Sequence, residues 1–219
     1  MDFNQLKKHF EYSYKKVNES IEAFPWEEQS AYASWLRNSY HYAHNSTRIL
    51  ALAGGVMPSD KTSTSNRFIA HANEEKGHEK LLENDLKFFG LNINDIPVTY
   101  EMKEYYQSLY FWLSPAGNPI GLFGWILSLE GLAVKKGNWI YNITKNKFGP
   151  KATSFLRVHS DADPDHLEKA LTMVSQFSHL ELDLVADTLE QYNYHYCLIL
   201  NSIKQNLNIK PQTKFVSGM

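Results

Sequence analysis

Two octets of the chain carry metal-binding types of side chain at one repeated spacing. HANEEKGH (71–78) sets His71, Glu75 and His78 at offsets of zero, four and seven, and HSDADPDH (159–166) sets His159, Asp163 and His166 at the same offsets. An α-helix turns about 100° per residue, so these positions share roughly 60° of arc and each octet could aim three ligand-type groups one way. Glu75 and His78 also form Glu-x-x-His, the i, i+3 pair by which helical bundles present a carboxylate and an imidazole to a di-metal centre. Leu82, Leu86 and Phe89 continue the steps of four and three begun at His71, which puts the candidate ligands on the apolar side of their helix. Glu74, Lys76, Glu79 and Lys80 then point elsewhere. The competing reading of so charged a run is a solvated helix face.

Glu130 interrupts GLFGWILSLEGLAV, where its neighbours are nearly all apolar or small. A buried ionised carboxylate is paired, protonated or bound to a metal, because isolation costs too much. A salt bridge or a hydrogen bond to a Tyr or His would satisfy Glu130 as well as a metal would. In the second octet Asp163-Pro164 favours a helix break, with Asp163 as an N-cap and Pro164 opening the next helix. The expectation is therefore an uninterrupted helix through 71–78 and a kinked segment at 157–166 that orders when metal binds. SYHYAHNS (39–46) crowds Tyr40, His41, Tyr42 and His44 into little more than one turn, either as half-buried packing or against a substrate.

The elements that must position these residues are helices. Apolar positions recur at helical spacing nearly throughout, and no alternating run is bounded by hairpin dipeptides, which predicts an all-α fold. Candidate helices span 2–23, 26–53, 61–89, 100–113, 118–147, 151–160 and 164–206, separated by Gly and Pro punctuation such as Gly54-Gly55, Gly90, SPAGNP (114–119) and Gly149-Pro150. Leu182, Val185, Leu189, Tyr192, Tyr196 and Ile199 form the core stripe of the last one. No repeat or low-complexity linker divides the chain, so one domain over 1–219, with a short tail from about 207, is expected.

Composition removes several classes of function. With 219 residues, 43% hydrophobic, a net charge of -2 and no basic stripe, the chain is an ordinary globular one unsuited to nucleic-acid binding. The start lacks a basic-then-apolar leader, and the longest apolar run is broken by Glu130 short of a membrane span, which suggests a cytoplasmic protein. The single Cys197 leaves any metal site to histidines and carboxylates.

HANEEKGHEKLLENDLKFFGL, NPIGLFGWILSLEG and FGPKATSFLRVHSDADPDH together resemble the three motif blocks of the haem-oxygenase-like iron-containing redox enzymes, the haem-oxygenase-like di-metal oxidases. The resemblance covers roughly residues 30–200. It implies a seven-helix up-and-down fold shared with TenA-type thiaminases and PqqC. It implies six ligands, Glu75, His78, Glu130, His159, Asp163 and His166, holding two irons or manganese, with Glu75, Glu130 and Asp163 as the carboxylates that change binding mode during catalysis. His71 would replace Glu75 or stand behind the ligands. The implied reaction is dioxygen-dependent oxidation of a small organic substrate, and a homodimer is left open. The chain departs from its cousins informatively. Cys197 sits in the last core stripe rather than at mid-chain, where thiaminases resemble one another in a catalytic cysteine. His9 lies on a polar helix start, unlike a haem ligand, and a single Glu-x-x-His is one short of a ferritin. The alternative is a binding or effector protein, or a metal-free TenA- or PqqC-like enzyme, with a structural polar cluster.

Overall fold

A computed structural model describes residues 1–208, the side chains of 161–164 and 208 excepted. The expected tail therefore lies almost wholly outside the described residues. These fold into α1 (Phe3–Glu22), α2 (Gln29–Val56), α3 (Thr62–Glu74), α4 (Glu79–Phe88), α5 (Tyr100–Phe111), α6 (Leu122–Leu132), α7 (Asn138–Phe148), α8 (Ser154–Val174) and α9 (His179–Asn208), with no strand among them. The all-α expectation holds.

α6 is the centre of the bundle, buried along almost its whole length. It lies against α9, and α1 also runs along α9. A Cβ on Gly124 would collide with the Thr188 hydroxyl and lie 2.5 Å from the Leu189 backbone nitrogen, so only glycine allows so close an approach of α6 to α9. α1 starts on a capping box between Asp2 and Gln5 and buries Leu6, Phe10, Tyr14, Val17 and Ile21, one apolar stripe. The Tyr14 hydroxyl donates to the carbonyls of Leu127 and Ser128, pinning α1 to the turn that carries Glu130. Directly after that turn the chain passes through a π-helical segment, Ala133–Gly137, into α7, and this segment packs on α8.

The two octets reverse the expected pattern of order and break. The first, taken as one helix over 61–89, is broken: α3 ends at Glu74, and α4 begins at Glu79 after Gly77, whose φ of 92° is the left-handed region that favours glycine. The second is continuous, because α8 runs through Pro164 without interruption. α8 is held from outside at its start, where the fully buried Asp85 of α4 accepts from the Ser154 backbone N–H (2.9 Å) and hydroxyl (2.5 Å) and from the Phe155 N–H (3.0 Å). The real break between the last two helices falls at 175–178, where Ser178 and Glu181 form a reciprocal cap: Glu181 accepts from the Ser178 N–H and hydroxyl, both at 2.8 Å.

Replacing Asp85 by alanine would strip the buried acceptors from the first N–H groups of α8, at an expected cost of about 2 kcal/mol. A urea midpoint equal to wild type would show that α8 does not depend on this cap.

Candidate metal centre

Four helices, with their caps, deliver the polar cluster. His71 lies in the last turn of α3, Glu75 caps that helix and His78 opens α4, so the break at 75–78 folds the first octet around the site instead of along a straight face. Glu130 comes from α6, His159 and His166 from α8.

The geometry joins them in two overlapping groups. His71, Glu75, Glu130 and His166 bring one ligand atom each within 4.8 Å of one another, as do Glu75, His78 and His159, and Glu75 belongs to both. His71 Nε2 lies 3.1 Å from Glu130 Oε1 and 3.6 Å from Glu75 Oε1; His166 Nδ1 lies 3.7 Å from Glu130 Oε1 and 3.9 Å from Glu75 Oε1. The other oxygen of Glu75, Oε2, faces His78 Nδ1 at 3.3 Å, and the His78 and His159 rings meet edge to face at 4.8 Å.

Burial sharpens the electrostatics. For His71, burial acts against the charged ring, yet hydrogen bonds to Glu130 and Glu75 outweigh it and raise the pKa from 6.5 to about 9. Attraction to Glu130 is the main reason that His166 is also raised. Burial opposes ionisation of Glu75 and Glu130, but the surrounding imidazoles hold both carboxyls below their ordinary values. Without a metal, protons on the imidazoles supply the positive charge that the two carboxylates require.

The residues fit divalent ions. Glu130 Oε2 and His71 Nδ1 are buried without a hydrogen-bond partner, and an unsatisfied carboxylate oxygen inside a protein calls for a cation or donor. A mixed imidazole and carboxylate set suits iron and manganese.

The structure thus gathers six of the seven residues singled out around the octets: His71, Glu75, His78, Glu130, His159 and His166. Asp163 falls among the side chains outside the described residues. His71 does not displace Glu75; both stand in the cluster, and Glu75 is its shared member. Of the aromatic group on α2, Tyr42 alone lines the adjoining cavity. This space of about 50 Å³ is walled by Tyr42, Ser46, Leu50, Trp125, Ile126 and Leu129 above His71, Glu75, Glu130 and His159. Tyr40 and His44 stack on each other at 5.3 Å, and His41 packs on Tyr106, because one or two residues of helical rotation carry them off the cavity face. The stripe Tyr42–Ser46–Leu50, spaced by four, was the sequence signal for that face. Glu74, expected to point away, is half-buried beside His166 and accepts from Arg67 and Lys169.

The fold is haem-oxygenase-like. A domain of unknown function with that fold from Shewanella denitrificans OS217 superposes with a TM-score of 0.82 at 19% identity over 94% of each chain. A TenA homologue from Pseudomonas syringae pv. tomato gives 0.77 at 12% over 92% of each, and one from Pyrococcus furiosus 0.63 at 11% over 90% of this chain and 99% of its own. No curated protein matches the sequence. Residues 33–193 match the model of the iron-containing redox enzymes, and the chain belongs to that family. Among the described residues no helix is long and apolar enough to cross a membrane.

Proposed function

We propose that the protein is a non-haem dinuclear metal oxidase, holding two irons and using dioxygen to oxidise a small organic substrate. The observation that carries this reading is the position of Glu75, one carboxylate common to two groups of ligand-type side chains. Its two oxygens face different imidazoles, Oε1 toward His71 and His166 and Oε2 toward His78, so Glu75 could contribute to the holding of two ions. One ion would be held by His71, Glu75, Glu130 and His166, the other by Glu75, His78 and His159, with Asp163 added from the family pattern. The chemistry supplied by such a pair of ferrous ions is the reductive activation of dioxygen.

The chain's own residues set the conditions for it. His71 and His166 give up their protons when cations take over the neutralisation of Glu75 and Glu130. Leu50, Ile126, Leu129 and Trp125 wall the small cavity with apolar surface beside the reacting centre. At about 50 Å³ the cavity has room for dioxygen or a few waters, so a larger organic substrate would require it to widen.

Glu130→Gln tests the proposal, since it keeps the volume but removes the charge. The expected result is an unchanged helical spectrum with dioxygen uptake by the iron-loaded protein reduced about 100-fold or more, beyond what loss of an outer partner costs. Wild-type uptake in the variant would contradict the proposal.

A further inference from the structure

The ring of His166 stands between carboxylates on two sides. Its Nδ1 faces Glu130 and Glu75 in the cluster, and its Nε2 faces away from them, 3.9 Å from Glu74 Oε2. A neutral imidazole carries its proton on one nitrogen, and whatever accepts that proton decides which nitrogen offers a lone pair.

Glu74 is itself fixed. Arg67 donates to its Oε2 through both terminal nitrogens, at 3.1 and 3.0 Å, and Lys169 donates to its Oε1 at 2.9 Å. Three donors occupy three of the about four acceptor positions of an ionised carboxylate, and the one left is on Oε1, so an Nε2–H from His166 is accepted there or shares Oε2 with Arg67. Although burial works against ionisation, Arg67 and Lys169 keep the Glu74 carboxyl below its ordinary range, so it is available as an acceptor at neutral pH. Arg67 and Glu74 belong to α3, His166 and Lys169 to α8; the arrangement therefore spans the two helices that supply three ligands of one proposed ion.

We infer that Glu74 is a positioning residue for His166: it accepts the Nε2–H and so directs the Nδ1 lone pair into the cluster, making His166 an Nδ1 ligand. Forming that hydrogen bond requires the ring to turn, because the present separation of 3.9 Å is too long for one. This inference rests on the proposed metal centre, but the preferred tautomer belongs to the protein with or without metal. Outer carboxylates that orient a ligating imidazole contribute about 10- to 100-fold in metal affinity.

Nitrogen-15 spectra of the histidine rings decide it. In zinc-loaded wild type, His166 is expected to be metal-bound at Nδ1 and protonated at Nε2. In metal-free protein at a pH that deprotonates the ring, it is expected to hold the Nε2–H tautomer. Glu74→Ala should lose that preference and weaken zinc binding about 10- to 100-fold, while Glu74→Gln, which keeps an acceptor oxygen at the same reach, should recover most of both. Lys169→Met cuts the tie between helices but leaves Glu74 facing His166, and should change affinity by no more than about threefold. Ligation through Nε2, or an Nδ1–H tautomer in the metal-free protein, would overturn the inference. So would a loss in Lys169→Met equal to that in Glu74→Ala, because Glu74 would then only join α3 to α8. Failure of wild type to bind zinc would count against the metal centre instead, and the metal-free tautomer would still judge Glu74. Should Glu74→Ala not fold, the wild-type and Glu74→Gln spectra suffice.

Discussion

Replacing Glu75 by alanine is expected to abolish tight binding of both metal ions, whereas replacing Glu130 by alanine should abolish only one. Among the described residues Glu75 is the side chain common to the two ligand groups; Glu130 belongs to one. Removing a shared carboxylate withdraws a negative charge and an oxygen from both positions at once, and each position retains a set dominated by neutral imidazoles. With each affinity lowered about 100-fold or more, a wild type that takes up two ferrous ions at micromolar concentration should give a Glu75→Ala protein that takes up none under the same conditions. Titration under argon with the metal counted by mass spectrometry reads the difference directly. Equal losses in Glu75→Ala and Glu130→Ala, each of one ion, would show that Glu75 is not shared.

Stability should depend on pH in opposite senses with and without metal. In the metal-free protein the His71 pKa is about 9 against an ordinary 6.5, so the folded state holds this proton more tightly than the unfolded chain does. The resulting stability is fully present below pH 6.5 and is lost as pH rises through about 9, a decline of about 3 kcal/mol for a shift of this size. Glu75 and Glu130 act in the other direction: both are depressed from an ordinary 4.5, so their contribution is present above that value and is lost as pH falls. The metal-free protein should accordingly be most stable between about pH 4.5 and 6.5. A metal ion must displace the His71 proton, and the His166 proton where that ring is charged, so its apparent affinity should climb at least about tenfold per pH unit between pH 6.5 and 9, and metal-loaded protein should gain stability where metal-free protein loses it. Urea denaturation at pH 6.5 and pH 9, with and without a divalent ion, checks the crossing. Parallel slopes would mean that His71 is not deprotonated by metal binding.

The residues of the cluster were legible in the sequence because ligand chemistry is written in residue type. His71, Glu75, His78, Glu130, His159 and His166 were all named from spacing, apolar context or family likeness, and all meet in the fold. The route by which they meet was not legible. Local rules assigned the break to Pro164 and continuity to 71–78, and both assignments failed for physical reasons. Pro164 is carried inside α8 because packing on α6 and the π-helical segment, and the Asp85 cap, hold that helix regardless of one missing donor. Gly77 breaks the first octet because the turn at 75–78 requires a positive φ, a demand that arises only when α3 and α4 must both pack on α2. The Ser178–Glu181 capping box is a stop-and-start signal of the Ser-x-x-Glu type, written in the sequence 14 residues beyond Pro164. The roles of Asp85 and Glu74 toward α8 could not have been found locally, since their partners on that helix, Ser154 and Lys169, lie 69 and 95 residues away along the chain.

The most direct measurement of the central claim is the number of metal ions bound per chain on anaerobic titration of the folded, metal-free protein with ferrous iron. Two ions per chain are expected, with Glu75 common to both. Saturation at one would leave a mononuclear site at either group, and an absence of binding would assign the cluster to structural ion pairs; either result would contradict a dinuclear centre.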